Sequence, residues 1–132
     1  MREWMVFAKK ERCDHYKALQ EIGFIDWAKA RNFRFEIGDI VYVFSSEKRK
    51  IIFKTVVVAD NVSRGDSAYW FEKAPQRLTY RLKAEKEYTG NNLSEELLME
   101  HGFKGRRSIQ HPLCGNRELM EYIREQFEKR AL

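Results

Sequence analysis

Two apolar runs joined by a short basic link constrain this chain most. The first, Ile40-Val41-Tyr42-Val43-Phe44, follows a Gly38-Asp39 turn and ends in Ser45-Ser46. The second, Ile51-Ile52-Phe53-Lys54-Thr55-Val56-Val57-Val58, begins after Glu47-Lys48-Arg49-Lys50. Rich in β-branched and aromatic residues and separated by a polar tip, the pair predicts a β-hairpin. The stretch from Asn32 to Ser46 is therefore the organising centre, and polar residues at strand ends are the natural place for a site.

A chain of 132 residues fits one domain, 1–132, large enough to bury a core. An apolar content of 43% with 14% aromatics predicts a folded globule rather than a disordered chain. Lys and Arg outnumber Asp and Glu 25 to 20, a net +5 that permits a polyanionic partner without requiring one. Cys13 and Cys114 read as free thiols in a reducing compartment. Trp4 to Ala8 is too short for a leader's apolar region, and no stretch reaches the ~20 apolar residues of a membrane span. The expectation is a soluble, cytoplasmic protein with nothing to be cleaved.

Along the chain, Glu3 to Ala8 is apolar on both faces and predicts a central strand. Asp14 caps a helix from about His15 to Ile22, stopped at Gly23, with Tyr16, Leu19 and Ile22 on one face. Phe24 to Phe33 has no clean period and reads as irregular. It holds Trp27, Arg31 and Asn32. Trp27 is either a core plug under a loop or a stacking platform with polar neighbours that read a planar ligand's edge.

Asp39 reads as a turn residue bonded to nearby backbone. Ser45 and Ser46 lack a nucleophile-elbow context. Lys50 to Ala59 is the second hairpin arm, and Asp60 to Ala74, with Tyr69-Trp70, is a long loop of the kind that is often functional. Arg77 to Ala84 alternates, placing Leu78, Tyr80, Leu82 and Ala84 inward and Arg77, Thr79, Arg81 and Lys83 on a basic outer face. Asn92 or Ser94 starts a helix that Gly102 ends, a basic loop holds Lys104, Arg106 and Arg107, and Asn116 caps a last helix to about Lys129. The order predicts an α+β fold: a twisted, mostly antiparallel sheet, partly closed into a barrel, with helices packed outside.

On these motifs the chain resembles the EVE-like branch of the PUA superfamily. The matches are the opening strand Trp4 to Ala8, the helix after it, Asp26-Trp27, Gly38-Asp39-Ile40-Val41-Tyr42 and the strand ending in Ser45-Ser46. The return strand Ile52 to Val58, Leu82-Lys83, the Leu97 to Gly102 helix end and Tyr122-Ile123 extend the likeness. The resemblance implies a pseudobarrel that recognises a modified, methylated or flipped base in an aromatic pocket, as in readers fused to HNH nucleases. It implies Trp27 as stacking wall, Ser45 and Ser46 as pocket floor, and Trp4 and Phe7 as further pocket members; Asn32 would read a base edge. Arg106 and Arg107 would hold phosphate or a base, with Lys104 and Arg81 as further backbone contacts. Such a reader needs no metal or cofactor, and it would need a partner, such as an effector nuclease, for any downstream effect.

Other readings of the residues remain open. PUA-like domains also bind RNA. An acid–base ribonuclease would draw on His15, His101 and His111. Cys13-x-His15 with His111-x-x-Cys114 would supply a zinc ligand set, at loose spacing.

Overall fold

A computed structural model describes residues 2–30, 34–104 and 111–129. The order of elements is β1 (Glu3–Ala8), α1 (His15–Glu21), β2 (Phe24–Ala28), β3 (Ile40–Ser45), β4 (Lys50–Val62), a 3-10 turn (Ser67–Tyr69), β5 (Thr79–Glu87), α2 (Glu95–Glu100), β6 (His111–Pro112) and α3 (Arg117–Lys129). The strands form one six-stranded mixed sheet in the order β2-β5-β4-β3-β1-β6. The expected hairpin is present, β3 against β4, with Ile40 opposite Val56 and Ser45 opposite Lys50. β1 runs parallel to β3 from Glu3 opposite Ile40 to Ala8 opposite Ser45, while the other pairs are antiparallel.

Side-chain alternation divides the interior into two cores, one on each face of the sheet. Trp4, Val6 and Ala8 of β1 and Val41 and Val43 of β3 face the first. Ile25 of β2, Ile52, Phe53 and Val57 of β4, Tyr80 and Leu82 of β5, and Ala18 and Leu19 of α1 complete it. Met5, Ile40, Tyr42 and Phe44 point the other way, against Leu98 of α2 and Leu119, Ile123 and Phe127 of α3. Because both faces are covered, every residue of β3 is buried, and the strand reads as an unbroken apolar run.

Register shifts interrupt β3–β4 between Val43 and Phe44, and β4–β5 after Lys54, Val57 and Ala59. Each irregularity bends its strand and adds twist, and together they curl the sheet. As a result Trp4 and Val6 of β1 share a core with Ile25 of β2, although β5, β4 and β3 lie between them in the sheet. The architecture is α+β with a curled, mostly antiparallel sheet; α2 and α3 cover its outer face, whereas α1 fills the inner core.

Asp39 behaves as a turn residue should. Its carboxylate accepts from the backbone N–H groups of Arg2 (2.9 Å) and Glu36 (2.9 Å) and from the Trp4 indole (3.0 Å). Burial opposes its ionised form, but these donors win and hold its pKa below the ordinary value.

Three expectations need correction. Residues 24–28 are strand β2, paired with β5 from Phe24 opposite Lys83 to Ala28 opposite Thr79. Ile25 and Trp27 do alternate inward, but the buried acid Asp26 masks the period. The second hairpin arm extends to Val62 rather than Ala59. Leu78 precedes β5 and is exposed, while Tyr80 and Leu82 point inward as expected. Among the described residues no helix is long and apolar enough to cross a membrane.

Candidate functional site

The curl leaves a gap between the ends of β1 and β2, and a cavity of about 280 Å³ opens there. Its aromatic wall comes from three distant parts of the chain. Trp27 stands half-buried on β2, His15 opens α1, and Trp70 follows the 3-10 turn. The His15 ring centroid lies 5.5 Å from that of Trp27 and 6.3 Å from that of Trp70.

Local backbone bonds fix this wall. Cys13 and Trp70 form an antiparallel bridge. The Asp14 N–H donates to the Tyr69 carbonyl at 2.8 Å and the Phe71 N–H to the Arg12 carbonyl at 2.9 Å. The Asp14 side chain accepts from the Lys17 N–H (3.1 Å), capping α1 and setting the position of His15.

An ionic network adjoins the wall, and two of its members, Asp26 and Arg64, line the cavity themselves. Arg81 grips Asp26 through two bonds of 2.9 Å, and Asp26 also accepts from the Gly65 N–H at 2.6 Å. Arg64 donates to Asp66 (2.7 Å) and to the Asp26 carbonyl (2.8 Å). Asp66 further accepts from the Asp26 N–H (2.9 Å) and the Trp70 indole (3.3 Å). Arg64 also packs 4.7 Å from the Trp70 ring centroid. Each carboxylate is paired with an arginine and accepts three hydrogen bonds, so neither offers an unpaired negative charge to a ligand.

His15 is the exception to this satisfaction. It is 8% exposed, and its Nδ1 has no hydrogen-bond partner among the described residues. Burial pushes its pKa down to about 4; the Asp66 carboxylate opposes this and the Arg64 guanidinium adds to it. The ring is therefore neutral at pH 7, with one nitrogen able to donate and the other to accept. Neighbouring Cys13 is buried, and its thiol is pushed up to about 12, first by burial and then by Asp66, which makes it a poor nucleophile.

Lys9, Arg12, Lys29 and Arg77 also line the cavity. Arg12 pairs with exposed Glu72 and Lys29 with Asp60. A second cavity of about 440 Å³ lies on the other side of His15, lined by Ser45, Tyr16, Lys48, Glu21 and Glu47 among others. It is larger, but its charges are mixed and no tryptophan lines it.

Of the residues singled out from the sequence, Trp27 and Phe7 both border the first cavity, but the Phe7 ring packs with the opposite core rather than with Trp27. Phe7 also stacks on Phe44 with ring centroids 5.1 Å apart. Trp4 belongs to the core: it is 3% exposed and its indole N–H is bonded to Asp39. Ser45 and Ser46 do not reach Trp27. The Ser45 hydroxyl accepts from the Lys48 N–H and the Ser46 hydroxyl from the Lys10 N–H, both at 3.1 Å, so both serines stabilise turns.

Arg81 is committed to Asp26 rather than presented on a basic face. The bonds to that carboxylate outweigh desolvation and raise its pKa. Lys104 is exposed and lines neither cavity. Asn32, Arg106 and Arg107 lie outside the described residues, as do the side chains of His111 and Cys114.

His101 sits on the surface, stacked on Tyr122 at 3.8 Å between ring centroids and 3.2 Å from Glu118. Among the described residues no three His, Cys, Asp or Glu side chains converge on a metal position. Sequence reasoning missed Trp70, the place of His15 in the wall, and the Asp26–Arg64–Asp66–Arg81 network. The usable signal was the Tyr69-Trp70 pair inside a long polar loop.

No family model matches the chain, and no curated protein matches it. Its fold is similar to those of several solved structures. A crystal structure of an Agrobacterium tumefaciens protein has a TM-score of 0.63 at 18% identity, covering 96% of this chain and 93% of that one. A hypothetical protein from Leishmania major gives 0.64 at 16% identity, covering 98% and 97%. A Pseudomonas putida protein gives 0.60 at 16% identity, covering 94% and 98%. At such identities the likeness concerns the fold alone.

Proposed function

We propose that this chain is an EVE-like, PUA-like nucleic-acid-binding module that receives one flipped or unpaired base, in particular a methylated one, against Trp27 and Trp70. The observation that carries the reading is the aromatic cavity whose nearby carboxylates are both occupied and whose lining includes Lys9, Arg12, Lys29 and Arg77. An aromatic cage for an organic cation benefits from free negative charge, and this wall offers none. A flat, uncharged heterocycle attached to a polyanion suits it better. The volume is close to the lower end of the ~300–1,000 Å³ range of small-ligand sites, which fits one planar ring system with a small substituent.

The energetics are consistent with this. Extrusion of a base costs a few kcal/mol of unstacking, and stacking on an aromatic side chain returns about 1–3 kcal/mol per base. Neutral His15 adds a flat ring to the wall without bringing charge to it, and the cations supply attraction to phosphates that weakens with salt.

The test is binding to short DNA duplexes whose central base is cytosine, 5-methylcytosine, 5-hydroxymethylcytosine or N6-methyladenine, at two salt concentrations. Trp27→Ala and Trp70→Ala are each expected to weaken binding to the preferred modified duplex by about tenfold or more. Binding that follows salt but ignores both tryptophans and the modification would refute the base pocket and direct the search to backbone recognition, RNA included.

A further inference from the structure

A module that takes a base out of a duplex leaves a hole in the stack, and something must fill or open it. Phe71 stands next to Trp70 in sequence, and it is 63% exposed. It is the one aromatic among the exposed large hydrophobic side chains of the described residues; the others are Ile22, Ile37, Val58, Leu78 and Met99. A single exposed side chain is ordinarily unremarked surface. Phe71 differs in how it is held.

Its own N–H donates to the Arg12 carbonyl at 2.9 Å, one residue from the Cys13–Trp70 bridge. The backbone that presents Phe71 is therefore the backbone that fixes the cavity wall. Two cations accompany it, each in an exposed ion pair: Lys10 Nζ lies 5.8 Å from the ring centroid and 3.4 Å from Glu47, and Arg12, the residue bonded to its N–H, lines the cavity and pairs with Glu72 at 3.1 Å. An exposed apolar ring, carried on backbone that is bonded one residue from the cavity's Trp70 and has a lysine over its face, matches the chemistry of a base-pair stack flanked by phosphates.

Resting on the base-reading proposed above, we infer that Phe71 is a wedge: it enters the duplex beside the target base and occupies the space that base vacates, while Trp27 and Trp70 hold the base itself. Apolar side chains inserted at a base step in this way unstack it. Phe71 thus acts on duplex opening and not on recognition of the extruded base. Its contribution is needed only when the target base starts out paired and stacked.

The experiment presents each of the modified oligonucleotides named above in three forms: fully paired, paired except for an abasic site opposite the target base, and single-stranded. Wild type, Phe71→Ala, Phe71→Trp, Leu78→Ala and Trp27→Ala are compared, with circular dichroism to verify folding. Phe71→Ala is expected to weaken binding to the fully paired form by about tenfold, with little change for the other two, and Phe71→Trp to retain binding. Trp27→Ala is expected to lose affinity for all three forms.

An equal loss on all forms for Phe71→Ala, no loss on any, or a paired-only loss in Leu78→Ala instead would overturn the wedge while leaving the base pocket standing. If wild-type protein prefers no modified oligonucleotide in any form, the base reading itself fails, and the wedge with it.

Discussion

His15 shows how much one side chain can reveal. A buried polar atom without a partner costs about 1–3 kcal/mol, and this ring lies beside Trp27 and Trp70 at the cavity wall. Its burial also leaves a mark on stability. Between about pH 4 and pH 6.5 the unfolded chain holds a proton on His15 that the folded chain rejects, so stability rises with pH across that window and falls as pH is lowered through it. Melting curves at pH 7 and pH 5 read this out. His15→Gln is expected to show a smaller loss of Tm on acidification than the wild type, and an equal loss would show that other groups dominate. The sequence marked His15 as a residue after a capping Asp and gave no sign that it would meet two tryptophans, because that meeting depends on contacts made 12 and 55 residues downstream.

At the scale of elements, caps and turns were legible wherever the chemistry is local. Ser94 caps α2 by accepting from the Leu97 N–H, and Asn116 caps α3 by accepting from the Leu119 N–H. Asp39 and the hairpin tip follow the same logic. β2 was not legible, because Asp26 sits inside it and becomes acceptable only when Arg81 and Gly65 arrive from β5 and the 63–66 loop. The end of α2 and the start of α3 are joined through one glycine. Gly102 has φ +104, and an added Cβ would lie 2.8 Å from the Asn116 amide nitrogen, which donates to the Gly102 carbonyl. Gly102→Ala is therefore expected to combine backbone strain with disturbance of the α3 cap, at a cost of about 2 kcal/mol measurable by urea unfolding. A cost no larger than that of an exposed surface substitution would show that the two helices are not linked at this point.

For the whole molecule, composition and periodicity indicated an α+β chain with a mostly antiparallel sheet, and the hairpin at its centre. They did not reveal that β1 runs parallel to β3, a pairing between segments far apart in the chain, or that the sheet curls until β1 and β2 bound one cavity, which follows from register shifts that no local pattern encodes. The position of β1 has a consequence in time. β3 and β4 are joined by a short link and β5 follows β4 after residues 63–78, so their pairings close shorter loops than those of β1, which residues 9–39 separate from β3. β1 must wait for residues 40–45 on one side and 111–112 on the other. Closing long loops before contacts reward them is slow. Val6→Ala is accordingly expected to act chiefly by accelerating unfolding, and Phe53→Ala, in the hairpin, by slowing refolding; stopped-flow chevrons with the reverse assignment would refute this order. During synthesis β1 would then emerge well before the strands that seat it, and the Trp27–Trp70 cavity, bounded by the end of β1, would take shape only after the chain has been made past Arg77.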